Sequence, residues 1–379
     1  MCTVLETKHG YKCGAVLYHC QWSHLASRVL LLFLIIRFSY ALSAQNNVPV
    51  ATVMFYNLEN LYDTRDDTLK NDEEFQPRGG KYWSGYRLYR KLTALSKVIL
   101  NTGNWEPPAV IGFCEVENRE VLEQLVHHPL LRSWDYAIIH KDSPDKRGID
   151  VAAIYRPGLF HPLFYDYFSP VSEGEAIPKT REILHLCGIL SGLPLSGPPG
   201  TISGDTLHLF FNHWPSRYGG LMETRPLRQK AARRLKAEIL RTGRSSPHPL
   251  IICSGDFNDQ PHDESLQWCL GASRKPVLHP DSLVNLSFAW QKEGKGTLKY
   301  QSQWNIFDQF IVSEALLDTT RSLFIIPGDA RILDAPFLME EDEKYTGTRL
   351  KRTYLGFRYQ GGFSDHLPVL LTLRRSVKR

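Results

Sequence analysis

Apolar residues in this chain gather into short runs, and several of these end on a polar or acidic residue. Val50–Tyr56 (VATVMFY) reads as a buried strand, because a short continuous apolar run rich in β-branched and aromatic side chains suits a strand covered on both faces. The same pattern predicts strands over Val110–Glu115, Tyr136–His140, Val151–Tyr155, Ile183–Ile189, Leu207–His213, Leu250–Ser254, Ile306–Val312 and Leu367–Leu373. Helical spacing is rarer. Leu88, Leu92, Leu95 and Ile99 recur on one face of a helix closed by Gly103, and Asn118 caps a helix running to His127. A third helix carries Pro226 in its first turn, aligns Leu227, Ala231, Leu235 and Ile239, and ends near Leu240. Many strands, few helices and several direct strand-to-strand steps predict stacked sheets with helices outside, an α/β layered sandwich rather than a doubly wound parallel sheet. The Gly/Pro-rich stretch Ser191–Gly204 reads as a loop.

Composition changes this picture little, since 42% hydrophobic and 22% charged residues are ordinary for a globular chain. The N-terminus stands apart. Arg28 precedes the apolar run Val29–Ile36 (VLLLFLII), and Leu42-Ser43-Ala44 follows. A positive flank, a short apolar core and a small-residue cleavage site make an export signal. The run is too short to span a bilayer, which takes about 20 apolar residues. Residues 1–44 are therefore expected to be a signal peptide, with a signal anchor as the alternative. Residues 45–379 are expected to form one domain, secreted or periplasmic, with no integral membrane segment. The signal carries +3 of the chain's net +5, leaving about +2, short of the excess that grips nucleic acid by charge alone. Cys114, Cys187, Cys253 and Cys269 show no metal-binding spacing. Cys114 and Cys253 lie in apolar runs and read as buried thiols, one disulfide being the alternative.

Five motifs place polar and acidic side chains at strand ends. In Phe55-Tyr56-Asn57-Leu58-Glu59-Asn60, the two-residue repeat of a strand puts Asn57 and Glu59 on one side. A second strand ends on Glu115 within GFCEVEN, and a third on Phe211-Asn212-His213-Trp214-Pro215. In SGDFND, Asp256 and Asn258 share a face; Phe307-Asp308-Gln309 pairs with Phe363-Ser364-Asp365-His366-Leu367-Pro368. Each motif alone is accounted for by turns and helix caps, which favour Asp and Asn after strands. Their recurrence in this order is not.

The ordered set resembles the endonuclease/exonuclease/phosphatase superfamily, which includes deoxyribonucleases, abasic-site endonucleases, neutral sphingomyelinases and inositol-polyphosphate 5-phosphatases. The resemblance covers essentially all of residues 45–379, with GDFND and SDHLPV the most specific strings, and is nearest to secreted bacterial-type nucleases. It implies a four-layer α/β sandwich of two packed, mostly antiparallel sheets flanked by helices. It also implies metal-dependent phosphodiester hydrolysis. Hard oxygen ligands without a soft donor suit Mg²⁺ or Mn²⁺. By resemblance, Glu115 is the principal metal carboxylate, Asn57 and Glu59 assist it, and Asp365 is a further ligand. His366 is the general base and Asp308 its orienting partner. Asp256 and Asn258 place the water and hold phosphate oxygens, and His213 contacts the phosphate or the leaving group. Asn212 and Arg147 are expected to touch substrate, with Asp150 the alternative to Arg147.

Nucleic acid, DNA or RNA, is the expected substrate, and no stable protein partner is expected. Tyr56, Trp214 and Trp304 flank the motifs and offer stacking surfaces for bases, core packing being the equal alternative. A sphingomyelinase-like phospholipase C and a catalytically inactive binding module are the competing functions. The first calls for exposed apolar loops and the second for a lost carboxylate or histidine; neither is evident in the sequence. The basic residues Arg225, Arg228, Lys230, Arg233, Arg234 and Lys236 read as the solvated face of an amphipathic helix.

Overall fold

Two seven-stranded sheets form the frame of the protein, here in a computed structural model that describes residues 47–103, 106–171, 179–191, 204–245, 248–276 and 282–376. The expected signal over residues 1–44 and most of the Ser191–Gly204 loop lie outside the described residues. The first sheet runs in the order Leu323–Phe324, Val369–Ser376, β1 (Asn47–Leu61), β2 (Val110–Val116), β4 (Asp150–Tyr155), β3 (Ala137–Ile139). Ala330–Ile332 also pairs with Val369–Ser376. The second sheet orders β5 (Phe160–Phe168), β6 (Ile183–Leu190), β7 (Asp205–His213), β8 (Leu250–Asp256), Asp308–Ser313, Leu283–Asn285 and Ala272–Ser273. Most neighbours are antiparallel, but β1 runs parallel to β2, β7 to β8, and Leu283–Asn285 to Ala272–Ser273. Residues Pro49–Ser376 cluster into one compact unit.

The continuous apolar runs become strands buried on both faces. Every residue from Val53 to Glu59 is buried, one face meeting the other sheet and the other covered from outside. The sheets meet closely where Phe211 of β7 lies over Gly112 of β2. A Cβ built on Gly112 falls 2.1 Å from that ring, and Phe211 also stacks on Phe55 with centroids 6.4 Å apart. Gly112→Ala is therefore expected to destabilise the fold by about 1–3 kcal/mol through overpacking. Urea unfolding measures this, and an unchanged midpoint would contradict so close a contact.

Three helices follow the spacing of their apolar residues. α1 (Gly85–Leu100) starts at the Ser84 cap, buries Leu88, Leu92, Leu95 and Ile99, and closes at Asn101, before Gly103. α2 (Arg119–Val126) is capped by the Asn118 side chain, which accepts from the Val121 N–H at 3.0 Å. α3 (Leu221–Ser245) starts earlier and ends later than expected, so Pro226 sits beyond the first turn. The N–H that Pro226 lacks would have bonded the carbonyl of exposed Met222, which water can satisfy instead. α3 packs Ala231, Ala232, Leu235 and Ile239 with Phe210, Ile251 and Cys253 on the outer face of the second sheet.

Strand β5 was not anticipated. It is an edge strand bulged near Pro162, with Leu163, Phe164 and Tyr165 exposed, so no buried apolar run announces it. Cys114, Cys187 and Cys253 are buried, Cys269 is half-buried, and all four are unpaired. Among the described residues, no helix is long and apolar enough to cross a membrane.

Candidate active site

Strand register assembles most of the site. His213 lies opposite Asp256, and Asp256 opposite Asp308, so three neighbouring strands set three functional side chains in one row. β1 and β2 bring Asn57 and Glu115 to the matching edge of the first sheet, Asn57 opposite Cys114. Parallel strands end on the same side, and the pairs β1–β2 and β7–β8 carry their polar residues at their C-terminal ends. His366 enters from the turn before Val369–Ser376 and bridges to Leu298. Ser364 ties this turn down: its hydroxyl donates to the Asn57 carbonyl at 2.7 Å and accepts from the His366 N–H at 3.1 Å.

Asp256 is the hub. Its Oδ2 receives the Asn57 amide at 3.2 Å and lies 3.8 Å from His213 Nε2 and 3.9 Å from His366 Nε2. On its other side, His366 Nδ1 is 2.6 Å from Asp308 Oδ2. Glu115 Oε1 lies 3.9 Å from His213 Nε2, while its Oε2 accepts from the Asn60 N–H at 2.9 Å. Burial disfavours the His366 imidazolium, but Asp308 and then Asp256 outweigh it and hold its pKa well above the ordinary value. Burial, followed by Arg181, Arg147 and His366, holds His213 well below. Burial pushes the Asp256 carboxyl up to about 7 against the pull of His366. Two histidines in one cleft are thus driven in opposite directions.

Backbone strain concentrates here. Glu59, Asn60, Glu115 and Asn258 all hold left-handed backbone, with φ of 51°, 55°, 60° and 52°. Non-glycine residues adopt this region at a cost, and such strain clusters at functional sites. It also breaks the two-residue alternation expected of Asn57 and Glu59. The β1–β2 register shifts between Asn57 and Leu61, and the Glu59 side chain turns away from Asp256. Its carboxylate accepts from the Thr353 N–H at 2.6 Å and from Arg352 at 3.2 Å, with Lys91 Nζ 3.9 Å away. Asp365 joins the same ion-pair cluster, 2.7 Å from Arg352. Glu59 and Asp365 therefore sit beside the Asp256 hub, each held by a cation of the protein.

Other expected positions separate cleanly. Asn212, expected to offer a donor, gives its amide hydrogens to the Phe210 and Ser254 carbonyls and accepts from Trp214, so none is left for substrate. Trp214 and Tyr56 are fully buried and cannot stack on bases; Trp304 is half-buried against the core. The Asn258 amide donates to the Trp214 carbonyl and its backbone N–H donates to Asp256 Oδ1, a brace within the site. Arg147 stands half-exposed on the rim, 3.7 Å from Asp145. Asp150 lies outside the site: its oxygens bind the Ser143 N–H and His140. Arg228 is not on a solvated face but fully buried, 2.8 Å from Asp259. Arg181 was overlooked by sequence reasoning. It is buried between Asp145 at 3.1 Å and the Trp214 carbonyl at 2.9 Å, and it bears on His213. Nothing local to its sequence marks it.

The donor set suits a divalent cation. Glu115 and Asp256 both face His213 Nε2, at 3.9 and 3.8 Å, Asp308 lies opposite Asp256 on the next strand, and buried Asp308 Oδ1 has no hydrogen-bond partner. Asn57 adds an amide, and no thiolate lies among these groups, so hard ions such as Mg²⁺ or Mn²⁺ match it. A separate trio, His140, Asp142 and Asp150, brings possible ligand atoms within 4.8 Å, but both Asp150 oxygens are already hydrogen-bonded.

No curated protein matches the chain. Among solved structures, an endonuclease/exonuclease/phosphatase family protein from Bacteroides thetaiotaomicron shares 15% identity over 87% of this chain and 100% of that one, with a TM-score of 0.50. A mannosyl-6-phosphatase from Bacteroides thetaiotaomicron VPI-5482 shares 16% identity over 85% and 99%, with a TM-score of 0.49. TDP2 from D. rerio, humanized by 14 mutations, shares 14% over 86% and 99%, also at 0.49. At such identity the first of these is a likeness of fold. The profile of the Endonuclease/Exonuclease/phosphatase family matches residues 52–375, and the chain belongs to that family.

Proposed function

We propose that this chain is a divalent-metal-dependent phosphodiester hydrolase that cleaves nucleic acid, exported by its N-terminal signal. The observation that carries the reading is the Asp308–His366 pair, 2.6 Å apart, with His366 Nε2 turned toward Asp256. Asp308 holds the Nδ1 proton, which leaves Nε2 free to take one from water. Asp256 receives that water's other hydrogen and aligns it for attack at phosphorus. His213, kept neutral, offers Nε2–H to a phosphate oxygen or to the leaving group. Glu115 and Asn57 would hold a Mg²⁺ or Mn²⁺ ion, whose charge would neutralise the phosphate when bound. Positioning and charge carry most of phosphoryl-transfer catalysis, and these residues provide both.

Hydrolysis by the purified chain with Mg²⁺, with Mn²⁺ and with chelator tests the reading. The substrates are plasmid DNA, single-stranded DNA, RNA, sphingomyelin micelles and a soluble inositol phosphate. Metal-dependent cleavage of a nucleic acid is expected. Turnover confined to the lipid or the inositol phosphate would keep the chemistry and overturn the substrate. Glu115→Gln is expected to raise the metal concentration needed for half-maximal rate at least tenfold, because it removes the charge of the main ligand.

The pH dependence follows from His366. As a base it works only when deprotonated, and its pKa is raised, so activity falls as pH drops through a value above that of free histidine. Asp308→Asn removes the largest charge holding that proton and should shift this acidic limb to lower pH. A limb that stays in place in the kcat/KM profile would take His366 out of the base role.

A further inference from the structure

Beside the Glu59 edge of the candidate active site, exposed aromatic rings stand among cations that the fold does not use. The segment after β1 meets a hairpin, Tyr354–Tyr359, in which Tyr354 pairs with Tyr359 and Leu355 with Arg358. The buried Tyr354 donates its hydroxyl to the Lys81 carbonyl at 2.9 Å, and Lys81 Nζ donates to the Gly356 carbonyl at 2.8 Å. The same ammonium lies 5.0 Å from the centre of the Phe357 ring, which rests 3.0 Å from where a Cβ on Gly80 would stand. Phe357 is nevertheless 64% exposed, Tyr82 66% and Tyr86 68%. Tyr82 holds left-handed backbone at φ 50°, the same strained conformation as Glu59 and Glu115. Tyr86 and Arg90 sit near enough to Tyr359 to act on its hydroxyl.

Among the described residues, Arg78, Arg90 and Arg358 are exposed and make no side-chain hydrogen bond or ion pair. Residues 73–90 and 354–359 together carry five cations against Glu73 and Glu74, a balance of +3. Open rings beside free guanidinium groups suit unpaired bases: a base stacks on a ring while the cation meets its phosphate. Bases in a duplex already stack on one another and cannot use such a surface. A tip that enters a membrane would be continuously apolar, whereas Gly356 separates Leu355 from Phe357 and Arg358 follows. The chemistry lies close by. A pocket of about 160 Å³ beside the hairpin has Glu59, Asn60, Lys81 and Arg352 in its wall, and the Asn60 N–H holds Glu115.

Resting on the nucleic-acid reading above, we infer that Tyr82, Tyr86 and Phe357, with Arg78, Arg90 and Arg358, form a stacking platform for a single-stranded stretch of the substrate. The strand lies over the hairpin and passes the Glu59 edge to reach the cleft, so the protein prefers single strands to duplex.

Fluorescence anisotropy of a labelled single-stranded oligonucleotide, titrated with the full chain in chelator, measures binding without cleavage. Tyr86→Ala and Phe357→Ala should each weaken binding about tenfold, the loss expected for one stacked base. Phe357→Leu keeps an apolar side chain against Gly80 but removes the ring, and should weaken binding as much as alanine does. Arg358→Gln should flatten the fall of affinity with salt, because one phosphate contact is gone. A hairpin duplex of equal length should bind more weakly than the single strand and respond little to these substitutions. Single-strand binding that ignores the substitutions, duplex binding as tight as single-strand binding, or binding to phosphatidylcholine vesicles in place of the oligonucleotide overturns the platform. Failure of the hydrolase reading shows separately, as an oligonucleotide bound through these residues yet uncut when Mg²⁺ replaces the chelator.

Discussion

His366→Ala lowers turnover by about a hundred- to ten-thousandfold, the range expected when a positioned general base is removed. No other imidazole can take over. His213 faces the same Asp256 oxygen, but its Nδ1 is buried without a partner, so no carboxylate orients it or raises its basicity. Alanine also leaves Asp308 buried and charged, which weakens the fold. His366→Gln separates the two effects, because its amide can still donate to Asp308 while offering no base. Both variants should lose activity, and His366→Gln should keep more of the stability. Measured kcat alongside far-ultraviolet circular dichroism decides the matter. Turnover near wild type in both would remove His366, and the site built around it, from the mechanism.

Arg228→Ala costs about 3–5 kcal/mol of stability, the penalty for leaving a buried partner charge unmatched. Arg228 Nε sits 2.8 Å from Asp259, and both side chains are almost wholly out of water. The guanidinium also donates to the Thr224 hydroxyl and the Pro215 carbonyl, tying α3 to the loop after β7. Arg217, 3.0 Å from Asp259, stays as a second cation and keeps the loss toward the lower end. Arg233→Ala on the exposed side of the same helix should change stability by no more than about 0.5 kcal/mol. Urea unfolding of the two variants checks both values. Equal effects would mean that the helix presents its cations uniformly to solvent.

Those two arginines mark where sequence reading reached its limit. Both lie in one basic helix, and residue type does not distinguish them. Burial does, and burial depends on where the loop after β7 and the Asp259 turn come to rest. Glu59 teaches the same lesson. Its alternation with Asn57 was sound for an ideal strand, yet left-handed backbone at Glu59 and Asn60 turned its carboxylate toward Arg352. Trp214 and Tyr56 stood next to site residues in sequence, but both rings are buried, Tyr56 within β1 and Trp214 just past the end of β7.

What the sequence determined by itself was whatever repeats locally. Apolar runs specified strands buried on both faces, helical spacing specified the core faces of α1 and α3, and the order of Asn, Glu, His, Asp and His motifs specified the family. The tertiary structure decided the rest. Register between β7, β8 and Asp308–Ser313 set His213, Asp256 and Asp308 in a row, although up to 95 residues separate them in the chain. Strain at three strand ends chose which carboxylates face the cleft. Arg181, Lys91 and Arg352 became part of the site's surroundings only by packing. The physical reason is range: periodicity and turn chemistry act over a few residues, whereas electrostatics in a buried cleft depends on which distant segments share it.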